Sequence, residues 1–278
     1  MKALAIIPAR YQSTRFPGKP LALLGGKPML RHVYDNVVHS GLFAKVAIAS
    51  DDERILEDAR LWKAEAIFTS AHHQSGTDRC AEAAKEISGD YDVIVNVQGD
   101  EPFINKKPLE QLLQIFDNES DAGIATLVQK IDNEADIWDK NTAKVALGND
   151  QLSLLAQARM INDQSQIPNP LPLTPYPFAL YFSRSPIPFI RSVDKKNWMA
   201  HHIFWKHIGL YAFKPEVLEE VVKLPVGLLE KAESLEQLRW LENGYKIYVA
   251  ETDYKMLSVD TPEDLAKAEK FFNNNVGI

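Results

Sequence analysis

Short apolar runs alternate with amphipathic stretches over the first half of the chain, and this alternation constrains the fold more than any other feature. The runs have the length of buried strands, and the stretches between them carry apolar side chains at helical spacing. Strands that alternate with helices of this length favour right-handed crossovers and a mainly parallel sheet. We expect strands at 3–7, 45–49, 66–68 and 93–97, and helices at 29–38, at 52–64, from about 77, and around 109–116.

The second half of the chain is less regular. Seven of the 16 prolines lie between Pro168 and Pro188, so residues 149–177 are expected to be an irregular excursion. Strands are expected at 178–182, 208–213 and 246–250, a helix at about 234–243, and a last helix with Thr261 as its N-cap. The chain is therefore predicted to be a single α/β domain over residues 1–278, with a mainly parallel, mixed sheet sandwiched by helices.

A cationic loop follows the first predicted strand. Pro8 ends the apolar run, and Arg10, Arg15, Gly18 and Lys19 follow it. Three cations at the carboxyl end of a strand indicate a polyphosphate site, although a solvated basic turn is the simpler alternative. The loop lacks the glycine and hydroxyl pattern of a Walker loop, and it is not the dinucleotide fingerprint, which disfavours a nicotinamide oxidoreductase.

Two aspartates follow other apolar runs. Asp100 comes after the run at 93–97, and Asp260 precedes the predicted last helix. Mg²⁺ typically takes one or two protein carboxylates together with substrate phosphates and waters. The pair therefore indicates a magnesium site, while a turn role for Asp100 and a helix-cap role for Asp260 are the alternatives.

The segment from His73 to Arg79 places Ser75 and Gly76 at a predicted helix start. Backbone amides at such a start suit a nucleobase or a phosphate, whereas the simpler interpretation is a cap by Thr77 with Gly76 making the turn. The neighbouring His72 and His73 do not have metal-ligand spacing, so no zinc site is expected.

Composition narrows the function classes. The net charge of -7 argues against broad binding to nucleic acid or anionic membranes. Cys80 is the only cysteine, which excludes an intrachain disulfide. No signal segment and no membrane-spanning run is recognised, so a cytoplasmic protein is expected.

Seven segments in order resemble the 3-deoxy-manno-octulosonate (Kdo) cytidylyltransferases, or CMP-Kdo synthetases. They lie at 6–30, 73–79, 93–102, 179–188, 207–211, 235–239 and 259–265. The resemblance implies a nucleotide-diphospho-sugar transferase fold with a dimerisation segment inserted at about 149–206, and hence a homodimer. It also implies an activity, the conversion of CTP and Kdo to CMP-Kdo and pyrophosphate for lipopolysaccharide biosynthesis.

The resemblance also assigns residues. It implies that four residues are catalytic and that two of them hold Mg²⁺; these are Lys19, Arg15 and the metal ligands Asp100 and Asp260. The CTP site would comprise Pro8, Ala9, Arg10, Ser13, Arg15, Lys19, Ser75, Gly76, Arg79 and Gln98. The sugar-acid site would comprise Gln98, Arg184, His207, Tyr211, Glu236 and Gln237, with Arg184 facing the carboxylate.

The chain departs from that family in two places. Residues 149–177 are longer than the usual connection, and Asp78 stands where many members have Glu. The nearest alternative is a sister enzyme for 8-amino-Kdo or another ulosonic acid. The segments at 181–184 and 235–239 favour Kdo over sialic acid but do not separate Kdo from its 8-amino analogue. A non-catalytic nucleotide-binding module is an alternative of a different class, which the presence of both aspartates disfavours.

Overall fold

The computed structural model describes residues 1–148, 176–255 and 257–275, and the chain divides into two compact units. Unit 1 contains residues 1–110, 212–222 and 255–278, and unit 2 contains residues 111–211 and 223–254. The predicted insertion at about 149–206 stays a prediction, because residues 149–175 lie outside the described residues.

Unit 1 is built on parallel strands in the order β5-β4-β1-β6. Ala3 to Ile7 of the central strand are all buried, as expected for a parallel strand that is covered on both faces. The strands are β1 Ala3–Ala9, β4 Lys45–Ser50, β5 Glu65–Phe68 and β6 Val93–Asn96, beside a small hairpin of β2 Leu23–Leu24 and β3 Lys27–Pro28.

Most helices of unit 1 were predicted, with ends that differ by a few residues, whereas the helix at Pro215–Val221 was not. The helices of this unit are α1 Met29–His39, α2 Glu53–Leu61, α3 Gly76–Glu86, the first part of α4 Lys106–Asn118, α7 Pro215–Val221 and α10 Pro262–Asn275. The prediction that α2 continues to residue 64 is wrong, because Lys63 takes a left-handed conformation with φ 63°. Thr261 caps α10 as predicted, since its hydroxyl accepts the Asp264 N–H at 3.2 Å.

Unit 2 contains a mixed set of strands in the order β10-β7-β11-β9-β8. β11 runs parallel to β7 and antiparallel to β9, while β8 is antiparallel to both β9 and β10. The strands are β7 Ile124–Lys130, β8 Lys144–Gly148, β9 Phe178–Ser183, β10 Trp205–Phe213, whose last residues belong to unit 1, and β11 Ile247–Glu251. The prediction of an α/β fold with a mixed sheet is confirmed.

The helices of unit 2 are short apart from α4. They are α5 Glu134–Trp138, α6 Trp198–His201, α8 Leu228–Glu233 and α9 Gln237–Glu242. The predicted helix from Ser234 begins three residues later than expected, because Ser234 has φ 52° and ends α8 instead. No helix within the described residues combines the length and the apolar character that crossing a membrane requires.

Candidate active site

A cavity of about 280 Å³ in unit 1 gathers the polar segments that follow β1 and β6. All ten residues that the family resemblance assigned to CTP line this cavity, and so do both predicted metal ligands. They are Pro8, Ala9, Arg10, Ser13, Arg15, Lys19, Ser75, Gly76, Arg79 and Gln98, with Asp100 and Asp260. Segments far apart in the chain therefore form one site at the carboxyl ends of parallel strands, where such sheets bind their ligands.

Gly18 shapes the cationic loop. It takes a left-handed conformation with φ 72°, and its N–H donates to the Tyr11 carbonyl at 2.8 Å. A Cβ at this position would lie 3.1 Å from the Tyr11 ring, so both the backbone and the space favour glycine. The turn directs the chain into a short 3₁₀ helix, Lys19–Leu21, that begins with the most buried cation of the loop.

Lys19 links the two aspartates. Its Nζ lies 2.8 Å from Oδ2 of Asp100 and 3.1 Å from Oδ1 of Asp260. Arg15 adds a second cation 3.3 Å from the Asp260 carboxylate. The Val259 N–H donates to the Asp100 carbonyl at 3.0 Å, which fixes the two carboxylate-bearing segments side by side.

The turn after β6 approaches β1 closely at Gly99. A Cβ on this residue would lie 3.1 Å from the Pro8 carbonyl oxygen, so a larger residue would push the Asp100 segment away from β1. A Cβ on Gly76 would likewise lie 3.3 Å from the Pro8 ring. Small residues therefore let the end of β1, the β6 turn and the start of α3 meet around the cavity.

The donor set fits a hard divalent cation. Asp100 and Asp260 present carboxylate oxygens to one ammonium, which shows that a single positive centre can contact both. Within the described residues no cluster of three or more His, Cys, Asp or Glu side chains has metal-binding geometry. A pair of carboxylates leaves most coordination positions for water and phosphate oxygens, as Mg²⁺ prefers.

Glu101 is a buried acid that the sequence analysis missed. It is 2% exposed, and neither of its carboxyl oxygens has a hydrogen-bond partner within the described residues. Burial, followed by the charges of Asp100 and Asp260, raises the pKa of this carboxyl to about 9, so it is protonated at neutral pH. The sequence shows two acids in a row, Asp100 and Glu101, but nothing in it tells which of them is buried.

The start of α3 is fixed by a reciprocal cap. Ser75 accepts the Asp78 N–H at 3.1 Å, and the Asp78 carboxylate accepts the Ser75 N–H at 3.1 Å. The expectation that Thr77 caps this helix is wrong, because Ser75 is the N-cap and Gly76 is already the first helical residue. Asp78 stands at N3, where a capping box usually has Glu or Gln, and its carboxylate reaches the Ser75 N–H.

Arg79 is held by its neighbours rather than standing free in the cavity. It is 5% exposed, pairs with Asp51 at 3.0 Å and donates to the Thr69 hydroxyl. Asp51 and Thr69 directly follow β4 and β5, so the buried guanidinium ties two strand ends to α3. Asp51 could have been predicted in the same way as Asp100, because it is also an acid that follows a strand.

The predicted sugar-acid residues other than Gln98 lie in unit 2. His207 and Tyr211 share β10, with ring centroids 5.2 Å apart, and Thr126 lies 3.0 Å from the His207 Nε2. Burial lowers the pKa of His207 to about 3 and raises the pKa of Tyr211, so both rings are neutral at pH 7.

Two further members of the sugar-acid set flank the start of α9. Glu236 is its N-cap residue, and Gln237 is 5% exposed. The Gln237 Nε2 has no hydrogen-bond partner within the described residues. A buried amide donor without a partner is uncommon in folded proteins and points to a ligand or an ordered water.

The family model and the similar proteins of known name agree on one family. The cytidylyltransferase family model matches residues 4–247. A protein of Phocaeicola vulgatus named 3-deoxy-manno-octulosonate cytidylyltransferase is 45% identical over 280 residues and covers 100% of both chains. A protein of the same name from Bacteroides thetaiotaomicron is 46% identical over 277 residues, covering 99% of each chain.

Solved structures agree. A CMP:2-keto-3-deoxy-manno-octonic acid synthetase complexed with CTP superimposes with a TM-score of 0.82 at 35% identity, covering 99% of both chains. A 4-diphosphocytidyl-2C-methyl-D-erythritol synthase from Anaerococcus prevotii has a TM-score of 0.57 at 11% identity, which shows a shared fold. The chain therefore belongs to the cytidylyltransferase family, and within it to the 3-deoxy-manno-octulosonate cytidylyltransferases.

Proposed function

We propose that this protein transfers the cytidylyl group of CTP to Kdo, with release of pyrophosphate and formation of CMP-Kdo. The observation that carries the proposal is the cavity in which all ten predicted CTP residues meet the Asp100–Asp260 pair. The relatives named for this activity match the chain from end to end, which supports the same substrates here.

The cationic loop supplies the phosphate contacts. Arg10 is exposed, and Arg15 has a side chain 65% exposed, so both are accessible to a triphosphate. Lys19 is already directed at the acidic side of the cavity, where it can meet the α-phosphate oxygens as negative charge builds up. Displacement at the α-phosphorus by a sugar hydroxyl needs this charge stabilisation and positioning, so no nucleophilic side chain is assigned.

Magnesium is the proposed cofactor, held by Asp100 and Asp260. When bound, it would neutralise phosphate charge and stabilise the leaving pyrophosphate. The fit of the two carboxylates to one positive centre supports this assignment.

The sugar acid is assigned to the polar residues of unit 2. Gln237 offers a buried amide donor, while the neutral His207 and Tyr211 rings suit sugar hydroxyl groups. Counting the bonds to described residues, Arg184 keeps two guanidinium N–H groups beyond those bonded to carbonyls, which suits a carboxylate. Gln98 lines the cavity of unit 1 and is assigned to both substrates.

Three further assignments complete the proposal, of which the first and the last rest on the resemblance to this family and the second on the sequence pattern. They are a role in lipopolysaccharide biosynthesis, a cytoplasmic location and a homodimer. The homodimer predicts a mass of about twice 31.3 kDa by light scattering of the purified protein.

The proposal is tested by pyrophosphate release with CTP and a panel of Kdo, 8-amino-Kdo and N-acetylneuraminate, with the other nucleoside triphosphates as controls. Rapid release with CTP and Kdo alone is expected. Preference for the 8-amino sugar would keep the chemistry and change the substrate. Absence of release with every pair, from folded protein that binds CTP, would indicate a non-catalytic nucleotide-binding module.

A further inference from the structure

Lys144 is a fully buried lysine at the start of β8 that none of the assigned roles uses. Its Nζ donates to three main-chain carbonyls, those of Asp139 at 2.8 Å, Thr142 at 2.6 Å and Arg184 at 2.6 Å. These bonds use all three donors of the ammonium, which is what a buried cation needs to stay charged. Lys144 thus joins the 139–142 turn to the end of β9.

Arg184, the residue after β9, is held through both its main chain and its side chain. Its Nε donates to the Glu233 carbonyl at 2.6 Å, and its two terminal nitrogens donate to the carbonyls of Lys140 at 2.9 Å and Ser234 at 3.1 Å. The orientation of the guanidinium is therefore set by two turns, one before β8 and one between α8 and α9.

The Glu233 carboxylate closes the same network. It accepts the Arg184 N–H at 2.8 Å and the Ser183 hydroxyl at 3.0 Å. The next residue, Ser234, has φ 52°, a conformation that is uncommon outside glycine, asparagine and aspartate and therefore needs support from its surroundings. That support comes from the Arg184 side chain, which binds the Ser234 carbonyl.

The chain then leads directly to α9. Only Leu235 separates Ser234 from Glu236, and Gln237 opens the helix. A change in the Ser234 turn would shift both residues, because a left-handed residue cannot relax without rotating the backbone that follows it. The contacts of Lys144 and Glu233 therefore bear on three sugar-acid residues at once, namely Arg184, Glu236 and Gln237.

We propose that Lys144 and Glu233 are positioning residues for sugar-acid recognition, which act by fixing Arg184 and the turn that carries Glu236 and Gln237. The inference rests on the proposed function for its substrate, whereas the positioning itself can be measured without substrate. Neither residue lines the cavity of unit 1, so we expect a larger effect on the sugar acid than on CTP.

Two variants test the proposal against a matched control. Lys144→Met keeps the length of the side chain and removes its donors, and Glu233→Gln keeps its shape and removes its charge. Lys231→Met alters an exposed lysine on α8, two residues from Glu233. Amide hydrogen exchange at residues 234–240 is measured without substrate, and KM and kcat are measured for each substrate in turn.

Both variants are expected to exchange faster at 234–240 and to raise KM for Kdo on the order of tenfold, while KM for CTP changes less than about twofold. Lys231→Met should match the wild type in every measurement. Unchanged exchange in folded variants, or equal rises in both KM values, would overturn the proposal. If Lys144→Met does not fold, the hydrogen exchange and the KM values of Glu233→Gln alone support or overturn the proposal.

The exchange result separates this proposal from the proposed function. A wild-type protein that is inactive with Kdo would reject the proposed function, while faster exchange in the variants would still support the positioning network. An active wild type with unchanged exchange in both variants would reject the positioning proposal alone.

Discussion

At the scale of single residues, the Lys19 ammonium contacts the same two carboxylates that are proposed to hold Mg²⁺. This ammonium lies between Asp100 and Asp260, at 2.8 and 3.1 Å. A divalent cation on the same carboxylates would meet the repulsion of this ammonium. Bound nucleotide relieves that conflict, because phosphate oxygens give the ammonium another partner.

Lys19→Met is therefore expected to bind Mn²⁺ more tightly than the wild type when no nucleotide is present, by several-fold or more. Its kcat should fall on the order of 10²-fold, because stabilisation of transition-state charge is lost. Metal binding is measured by electron paramagnetic resonance titration, with Lys231→Met as the control. Weaker or unchanged Mn²⁺ binding would show that the ammonium does not compete for these carboxylates.

Asp100→Asn is expected to lower kcat on the order of 10²-fold or more, because it removes one negative charge from the proposed metal site. Asp100 is partly exposed at a strand end, so the thermal unfolding midpoint should change by only about 2 °C. Asp90→Asn, at an exposed acid of unit 1, serves as the control. Near-wild-type turnover in saturating Mg²⁺ would contradict the assigned role.

At the scale of elements, α3 connects local capping to the nucleotide site. Its N-cap Ser75 lines the cavity, and its fourth residue, Arg79, joins the ends of β4 and β5. Apolar spacing predicted the helix, yet it placed the cap at Thr77 instead of Ser75. The reciprocal Ser75–Asp78 pair is the pattern that identifies the true start.

Ser75→Ala should lower the free energy of unfolding by about 1 kcal/mol, because an N–H at the start of α3 loses its acceptor. KM for CTP should also rise, since the amides that line the cavity are no longer held in place. Urea unfolding and steady-state kinetics measure the two effects, and Ser88→Ala, at an exposed serine beyond α3, is the control. Loss of stability with no change in KM would separate the cap from nucleotide binding.

Other elements show where sequence patterns lose information. No strand was predicted at β7, although its buried apolar run from Ile124 makes it readable from the sequence. The boundary between α8 and α9 cannot be read from the sequence. The leucines at 235, 238 and 241 fit a continuous helix as well as they fit a turn followed by a helix. The left-handed Ser234 that interrupts the helix depends on Arg184, 50 residues earlier in the chain.

At the scale of the whole molecule, several of the residues that the structure gathers in the cavity of unit 1 were predicted from segments that follow strands. Arg10, Lys19 and Asp100 could be found because β1 and β6 bring their carboxyl ends to one edge of the sheet. Asp260 was expected at another strand end, but within the described residues no strand directly precedes it, and it lies just before α10. The Lys144 network could not be found, because its bonds join three turns that share no motif. Buried polar groups of this kind are defined by tertiary packing, and the sequence alone does not show which lysine is buried.

The pH dependence of stability should report the buried His207. Its pKa is lowered to about 3 in the folded protein, whereas the unfolded chain titrates near 6.5. The folded state therefore binds fewer protons between these values, and stability should fall as the pH drops below 6.5, by up to about 1.4 kcal/mol per pH unit. Urea unfolding from pH 7.5 to 5 should show a flatter dependence in His207→Gln, and equal slopes would contradict the burial of a neutral imidazole.

The transfer of the cytidylyl group from CTP to Kdo is tested by following the atoms of both substrates. Kdo labelled with ¹³C at its anomeric carbon is incubated with CTP, Mg²⁺ and the protein, and the reaction is followed by ³¹P nuclear magnetic resonance. Cytidylyl transfer to Kdo predicts a new phosphodiester signal coupled to the labelled carbon, with pyrophosphate formed in equal amount. Release of inorganic phosphate without that coupled signal, or unchanged CTP with folded protein, would contradict it.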